Sequence, residues 1–330
     1  REKYEAVWKQ IAERFAKYDE HLIFESMNEE SDGTYDGDPN KEYYANLNQY
    51  NQIFVDTVRG TGEKNTHRWL LVPGWNTNIE YTIGDYGFEM PTDEKCSAGE
   101  SRMMVSVHYY DPWDYCGIED LKTILWGEYG DNLIEVNGFP KMNKAKWGDE
   151  SYLDDLFSRM QEKFVKNDIP VIIGEYGCID KSSAYADFAG QIQGNRAYWD
   201  GYVAGKAASM GMIPVYWDNG FNGVYGFGLF DRNTYEQTQP EIISTILKAV
   251  KNKDPKAGLD TVVENKVEKT DDAHAYIGIQ TEVYTFRNTC SDAKYGKDTD
   301  YFNTLIKWGE DDQIIDTGAK FTDATISADG

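Results

Sequence analysis

The sequence has no CxxC pair, no GxGxxG turn, no cluster of Lys and Arg, and no apolar run of membrane length. Each absence removes a class of function. Cys96, Cys116, Cys178 and Cys290 lack the spacing of a zinc site. Without the glycine-rich turn, a dinucleotide site of the doubly wound kind has no support. Basic residues number 33 against 57 acidic ones, and the net charge is −24. A nucleic-acid partner needs a basic groove to neutralise phosphates, and an anionic membrane surface is disfavoured for the same reason. No transmembrane span is expected. There are no internal repeats or low-complexity tracts, and no cofactor, metal or protein partner is implied. Neutral or weakly charged substrates remain.

Aromatic residues are plentiful: 24 Tyr and 9 Trp within 14% aromatic content. Most should fill a core, but exposed ones would suit a ligand with flat apolar faces, such as a sugar. Cys96 and Cys116 flank one predicted strand and could pair in an oxidising compartment. The chain starts at Arg1 rather than Met. Its beginning is therefore read as trimmed, and the lack of a leader carries no weight against secretion.

The apolar pattern alternates helices with short continuous apolar strands. "KYEAVWKQIAERFAK" (3–17) puts Val7, Trp8, Ile11 and Phe15 at helical spacing. "HLIFESMNE" follows as a strand. A helix through Tyr43, Leu47, Phe54 and Val58 ends at Gly60. Strands are expected at 68–75, 102–113, 169–177 and 212–220, and helices at 151–167, 195–211 and 240–250, the last with Pro240 at its start. Strands apolar on both faces form a parallel sheet covered by helices. Five such strands fit a doubly wound sheet or a (β/α)8 barrel. Residues 251–261 read as a linker. Beyond them, 275–288 and 301–310 read as antiparallel β-strands of a separate module, cut off at "TDATISADG".

The chemistry sits at strand ends. The first strand runs into Asn28 and Glu29, the third into His108 and Tyr110, the fourth into Glu175, and the fifth into Trp217, Asp218 and Asn219. In a barrel these C-terminal ends converge on one face. Two carboxylic acids delivered there from separate strands suit cleavage of a glycosidic bond. A retaining hydrolase holds such a pair about 5–5.5 Å apart, one protonated and one ionised. Glu25 lies mid-strand and Glu30 in a loop, so both are weaker candidates. Asp32, Asp36 and Asp38 lack EF-hand spacing and read as a solvated acidic loop.

The stretches "HLIFESMNE", "RWLLVPG", "VSVHYYDPW", "IPVIIGEYG" and "PVYWDNG", in this order, resemble glycoside hydrolase family 5, in its endo-β-1,4-glucanase branch with xyloglucanases and lichenases. "GFGLFDRNT" (226–234) is similar to that branch too. The resemblance covers about residues 1–250. It implies a (β/α)8 barrel, a secreted enzyme and a β-glucan polysaccharide substrate. It also implies roles: Glu29 as general acid/base, Glu175 as nucleophile, Asn28 on the sugar 2-hydroxyl, His108 near the acid/base, Tyr110 on the nucleophile, and Trp217 stacked under the sugar beside the cleavage point. The sequence departs from the family pattern in having Glu30 where a proline is usual. It also lacks three leading strand–helix units, with their Arg and His-His stretch. The chain is thus expected to be the C-terminal five β/α units, residues 1–250, followed by a β-rich module at 262–330 that could be carbohydrate-binding. Trp308 in that module could bind sugar or lie in its core. A β-mannanase of the same fold and a non-catalytic glycan-binding protein are the competing readings.

Overall fold

The computed structural model describes residues 1–257 except 34–36, 138–142 and 185–187, with only the backbone at 136–137 and 184; it also describes the backbone of 304–308 and 314–320. The described elements are α1 (Glu2–Phe15), β1 (Phe24–Glu25), α2 (Lys41–Gly60), β2 (Leu70–Asn78), α3 (Ile79–Ile83), β3 (Met103–Tyr109), α4 (Trp113–Cys116), α5 (Gly127–Asn137), α6 (Glu150–Lys163), β4 (Val171–Tyr176), α7 (Ala189–Ser209), β5 (Ile213–Tyr216) and α8 (Pro240–Asn252). Further on, β6 (Thr304–Trp308) pairs antiparallel with β7 (Ile314–Lys320). The expected strand at 275–288 lies outside the described residues, as does Cys290.

The five strands are all parallel and pair in chain order, β1-β2-β3-β4-β5. A doubly wound sheet would reverse its order at a switch point and carry helices on both faces. Here Val105, Val107, Val171 and Ile173 are fully buried under α6 and α7, whose Leu153, Leu156, Phe157, Met160, Val203 and Ala207 join the same cluster. Leu70 and Val72 pack with Phe54, Val55 and Val58 of α2. The alternate residues Leu71, Met104 and Ile172 meet on the opposite, inward face. The result is a half-barrel, five parallel strands of the (β/α)8 architecture.

Local chemistry explains the element ends. Asn40 caps α2 by accepting from the N–H groups of Glu42 and Tyr43. Asp149 caps α6, and Pro240 opens α8 where a missing N–H costs nothing. Arg68, just before β2, donates to the carbonyls of Phe15, Tyr18, Asp19 and Leu22. Its buried guanidinium thereby gathers the turn between α1 and β1, and burial holds its pKa down.

The structure corrects several sequence expectations. On α1 the inward face is Tyr4, Trp8, Ile11 and Phe15, whereas Val7 is exposed. On α2 it is Tyr44, not Tyr43, that faces inward. β1 shrinks to two residues, paired only with β2 among the described strands. β3 stops at Tyr109, where Asp111–Pro112 turns the chain into α4. Residues 251 and 252, read as linker, complete α8. Cys96 and Cys116 do not pair: both are free, and the seven residues of β3 lie between them, about 23 Å at strand rise. Cys116 instead sits beside the Cys178 segment, its carbonyl accepting from Ile179 N at 3.0 Å.

Two strand edges, β1 and β5, are open among the described residues. Ile213 of β5, in register with Ile172, is 49% exposed, and Val215, two residues on, is 46% exposed. Open edges and an exposed apolar row favour self-association. The 330-residue chain expressed alone should therefore be poorly soluble or lack fixed tertiary packing. Near-ultraviolet circular dichroism and size-exclusion chromatography test this. A monomer with one sharp thermal transition would show that the edges are protected.

Candidate active site

Glu29 is delivered by an anchored strand end. Tyr4 OH donates to the Ser26 carbonyl, Ser26 Oγ donates to Asn51 Oδ1, and Asn51 Nδ2 donates to the Pro73 carbonyl. Three residues after Ser26, Glu29 adopts φ 52°, in the left-handed region. Its N–H donates to Thr77 Oγ1 at 3.0 Å, and the Glu30 carbonyl accepts from Asn76 N at 2.9 Å.

The two carboxylates face each other over β3. His108 is in register with Glu175 on the neighbouring strand. Its Nδ1 lies 2.8 Å from Glu29 Oε1 and 3.5 Å from Glu175 Oε2. Tyr110 OH donates to Glu175 Oε2 at 2.8 Å. One oxygen of Glu29 and one of Glu175 lie within 4.8 Å of each other. The surroundings differ: the Glu29 side chain is 43% exposed, that of Glu175 only 16%. Burial, then the hydrogen bond and charge of Glu175, push the Tyr110 hydroxyl far above its ordinary pKa. It therefore stays protonated as a donor to the carboxylate.

Tyr110 is itself held edge-on by Trp113 and Phe227, with ring centroids 6.0 and 5.9 Å away. At Gly174 an added Cβ would come 3.3 Å from Ser106 Oγ and 3.6 Å from the His108 ring, so the small residue leaves room for both. Trp217 follows β5, its N–H bonded to the Tyr176 carbonyl at 2.9 Å and its side chain 42% exposed. The next residue, Asp218, accepts from the N–H groups of Gly220 and Leu229.

Of the residues singled out in the sequence, Glu29, His108, Tyr110 and Glu175 are brought into one hydrogen-bonded group. Asn28 and Trp217 flank that group with exposed side chains and form no hydrogen bond to it among the described residues. Glu25 accepts from Ser106 Oγ, one level below His108 on β3. Glu30 is exposed and contributes its carbonyl. The acidic-loop residues Asp32 and Asp38 belong to no metal-sized cluster among the described residues, and Asp36 lies outside them. Among the described residues, no arginine bonds to Asn28, Glu29 or Glu175; Arg1, Arg59, Arg68, Arg102, Arg159, Arg196 and Arg232 bond elsewhere. Sequence reading missed Thr77, Asn76, Trp113 and Phe227. Trp113 was within reach, since it follows His108 and Tyr110 in the same run.

Glu29, His108 and Glu175 are also the one described cluster with donors close enough for a cation. Within it His108 Nδ1 is engaged with Glu29 Oε1, and Glu175 Oε2 with the Tyr110 hydroxyl.

Comparison with known proteins identifies the family. The family described as cellulase (glycosyl hydrolase family 5) matches residues 1–223. Endoglucanase A of Paenibacillus barcinonensis is 48% identical over 254 residues, 76% of this chain and 60% of that protein. A xyloglucan-specific endo-β-1,4-glucanase of Bacteroides ovatus is 32% identical over 76% of this chain and 46% of its own length. Among solved structures, a family 5 xyloglucanase from Paenibacillus pabuli in complex with ligand is 49% identical with a TM-score of 0.69, covering 76% of this chain and 67% of that one. The B. ovatus family 5 xyloglucanase, solved with a XXXG heptasaccharide, superposes with a TM-score of 0.66. The chain thus spans about half to two thirds of the relatives it matches. With five strands in barrel order and two facing glutamates at their ends, the chain belongs to glycosyl hydrolase family 5.

Proposed function

We propose that the protein hydrolyses internal β-1,4-glucosidic bonds of β-glucan polysaccharides, with xyloglucan, lichenan and cellulose-type chains as the substrate class, and with retention of anomeric configuration. The carrying observation is the approach of one Glu29 oxygen to one Glu175 oxygen within 4.8 Å. That spacing favours direct attack by a carboxylate over the wider gap of about 6.5–9.5 Å that accommodates a water in inverting enzymes.

The unequal surroundings support the division of labour. Glu175, more enclosed and held by the Tyr110 hydroxyl, attacks the anomeric carbon as the ionised nucleophile. Glu29, more open and bonded to His108, gives its proton to the departing glycosidic oxygen. The bond from C1 to the leaving sugar breaks as the bond from C1 to Glu175 forms. Glu29 then takes a proton from water, which attacks C1 and releases Glu175. Asn28 is assigned to the 2-hydroxyl, where a hydrogen bond strengthens as the oxocarbenium ion develops. Trp217 is assigned as the platform whose indole face meets the axial C–H bonds of glucose. A polymer of this kind is handled outside the cell, which supports a secreted enzyme. Residues 262–330 are assigned to a β-rich accessory module; the antiparallel pair β6 and β7 supports that division.

The assignment is tested on the protein as its organism makes it, assayed on xyloglucan, lichenan, carboxymethylcellulose and mannan. Activity on mannan alone would move the substrate class. Glu175→Gln should abolish turnover on every substrate. Glu29→Gln should lose about 10²–10⁴-fold on polysaccharide but keep much of its kcat/KM on an aryl glycoside whose leaving group needs no proton. If the activated substrate rescues the Glu175 variant instead, the two roles are reversed.

Stereochemistry gives an independent check. Proton NMR of the first product should show the β-anomer, with the α-anomer growing only by mutarotation. Initial release of the α-anomer would rule out the double displacement.

A further inference from the structure

The end of β2 departs from its ladder in a way that bears on Glu29. Pro73 pairs with Ser106 and Asn78 pairs with His108, so five steps along β2 are matched by two along β3. The excess residues bulge out, and within the bulge Asn76 and Thr77 both adopt φ 51°. Neither is glycine, and such a conformation persists in other residues only where the surroundings enforce it. Glu29, across the gap, shares this left-handed conformation.

The bulge is fixed from behind. Trp75 N donates to Tyr44 OH, which donates in turn to the Tyr81 carbonyl. Asn78 accepts from Tyr81 N through its side chain and from Thr82 Oγ1 through its carbonyl, so it both ends the bulge and caps α3. At its front the bulge presents two groups to the Glu29 loop. Thr77, wholly buried, offers its hydroxyl oxygen to Glu29 N, and Asn76 N donates to the Glu30 carbonyl. The same short segment therefore sets His108, through the Asn78 pairing, and Glu29, through Thr77.

The geometry points to Thr77 as the positioning residue of the acid/base: its hydroxyl holds the Glu29 main chain in the left-handed conformation that aims the carboxyl at His108 and across to Glu175. This role rests on the glycosidase reading above. Thr77 touches neither substrate nor the reacting atoms, and its action passes through the Glu29 peptide. A misaimed acid affects proton delivery more than it affects sugar binding or nucleophilic attack.

Thr77→Val keeps the branched shape and removes the acceptor; Thr77→Ser keeps the acceptor. On xyloglucan or lichenan, Thr77→Val should lower kcat about tenfold or more with little change in KM, since small displacements of a catalytic group are costly. On an aryl cello-oligosaccharide with a strongly acidic phenol as leaving group, its kcat/KM should fall less than about threefold, because that bond breaks without the proton. Thr77→Ser should stay within about threefold of wild type on both. Equal losses on the two substrates, or no loss on either, would overturn the assignment. Hydrogen–deuterium exchange of the 27–30 segment provides a readout independent of turnover. Exchange at the Glu29 amide should accelerate in Thr77→Val and not in Thr77→Ser; unchanged protection would sink the clamp even in an active enzyme. If the wild-type protein turns over no β-glucan but exchange behaves as expected, the glycosidase reading fails and the clamp stands.

Discussion

Two carboxylate oxygens held within 4.8 Å of each other repel. At an effective dielectric near 20, the cost at this separation is about 3 kcal/mol when both are charged. The described structure offsets that repulsion from one strand. His108 and Tyr110, both at the end of β3, supply a ring nitrogen to Glu29 and a hydroxyl to Glu175. β3 is the middle strand of the five, covered by α6 and α7 and fully buried along its length. Of the strands leading to the carboxylates, β4 is in register with it directly, and β1 through β2, which lies between them. Burial of Val105 and Val107 beneath the helices thus fixes the height at which the charged groups meet.

Much of this was legible in the sequence because one signal serves two purposes. A continuous apolar run marks a strand buried on both faces, and the first polar residues after it mark where the strand emerges. Glu29, His108, Tyr110 and Glu175 all follow such runs, and all four meet. The runs alone left a doubly wound sheet and a barrel both open; the resemblance to family 5 pointed to the barrel. The signal fails where periodicity is short or interrupted. α3 and α4, with five and four residues, are too brief for a helical repeat to show. The β2 bulge is invisible because its backbone is set by tertiary hydrogen bonds from Tyr44 and Tyr81, not by the glycine that usually marks positive φ. Tyr43 and Tyr44 show the limit of face assignment: adjacent tyrosines differ by one helical step, and packing against Trp75 decides which points inward.

Family membership and geometry contribute different things. Relatives named as endoglucanases and xyloglucanases place the chain in family 5, while the chain covers 60% and 46% of the two compared by sequence. The arrangement of Glu29, His108, Tyr110 and Glu175 stands on distances within this chain. It needs β1 through β4 and no contact with an arginine among the described residues.

The loop after β5 has a bearing on how such a site can diversify. Trp217 is tied by its backbone to Tyr176, the neighbour of Glu175, so the ends of β4 and β5 are held together by a peptide hydrogen bond. Directly beyond, Asp218 and Asn219 receive the N–H groups of Gly220, Phe221, Phe227 and Leu229. These bonds staple the base of the excursion, and its turn is held as well: Tyr225 N donates to the Asp180 carbonyl and the Gly226 carbonyl accepts from Asp180 N. Val224, 47% exposed, is a position of the turn where a side chain can change without disturbing these bonds. Change at an exposed turn position is thereby separated, within a dozen residues, from the backbone bond that aligns Trp217 with Tyr176.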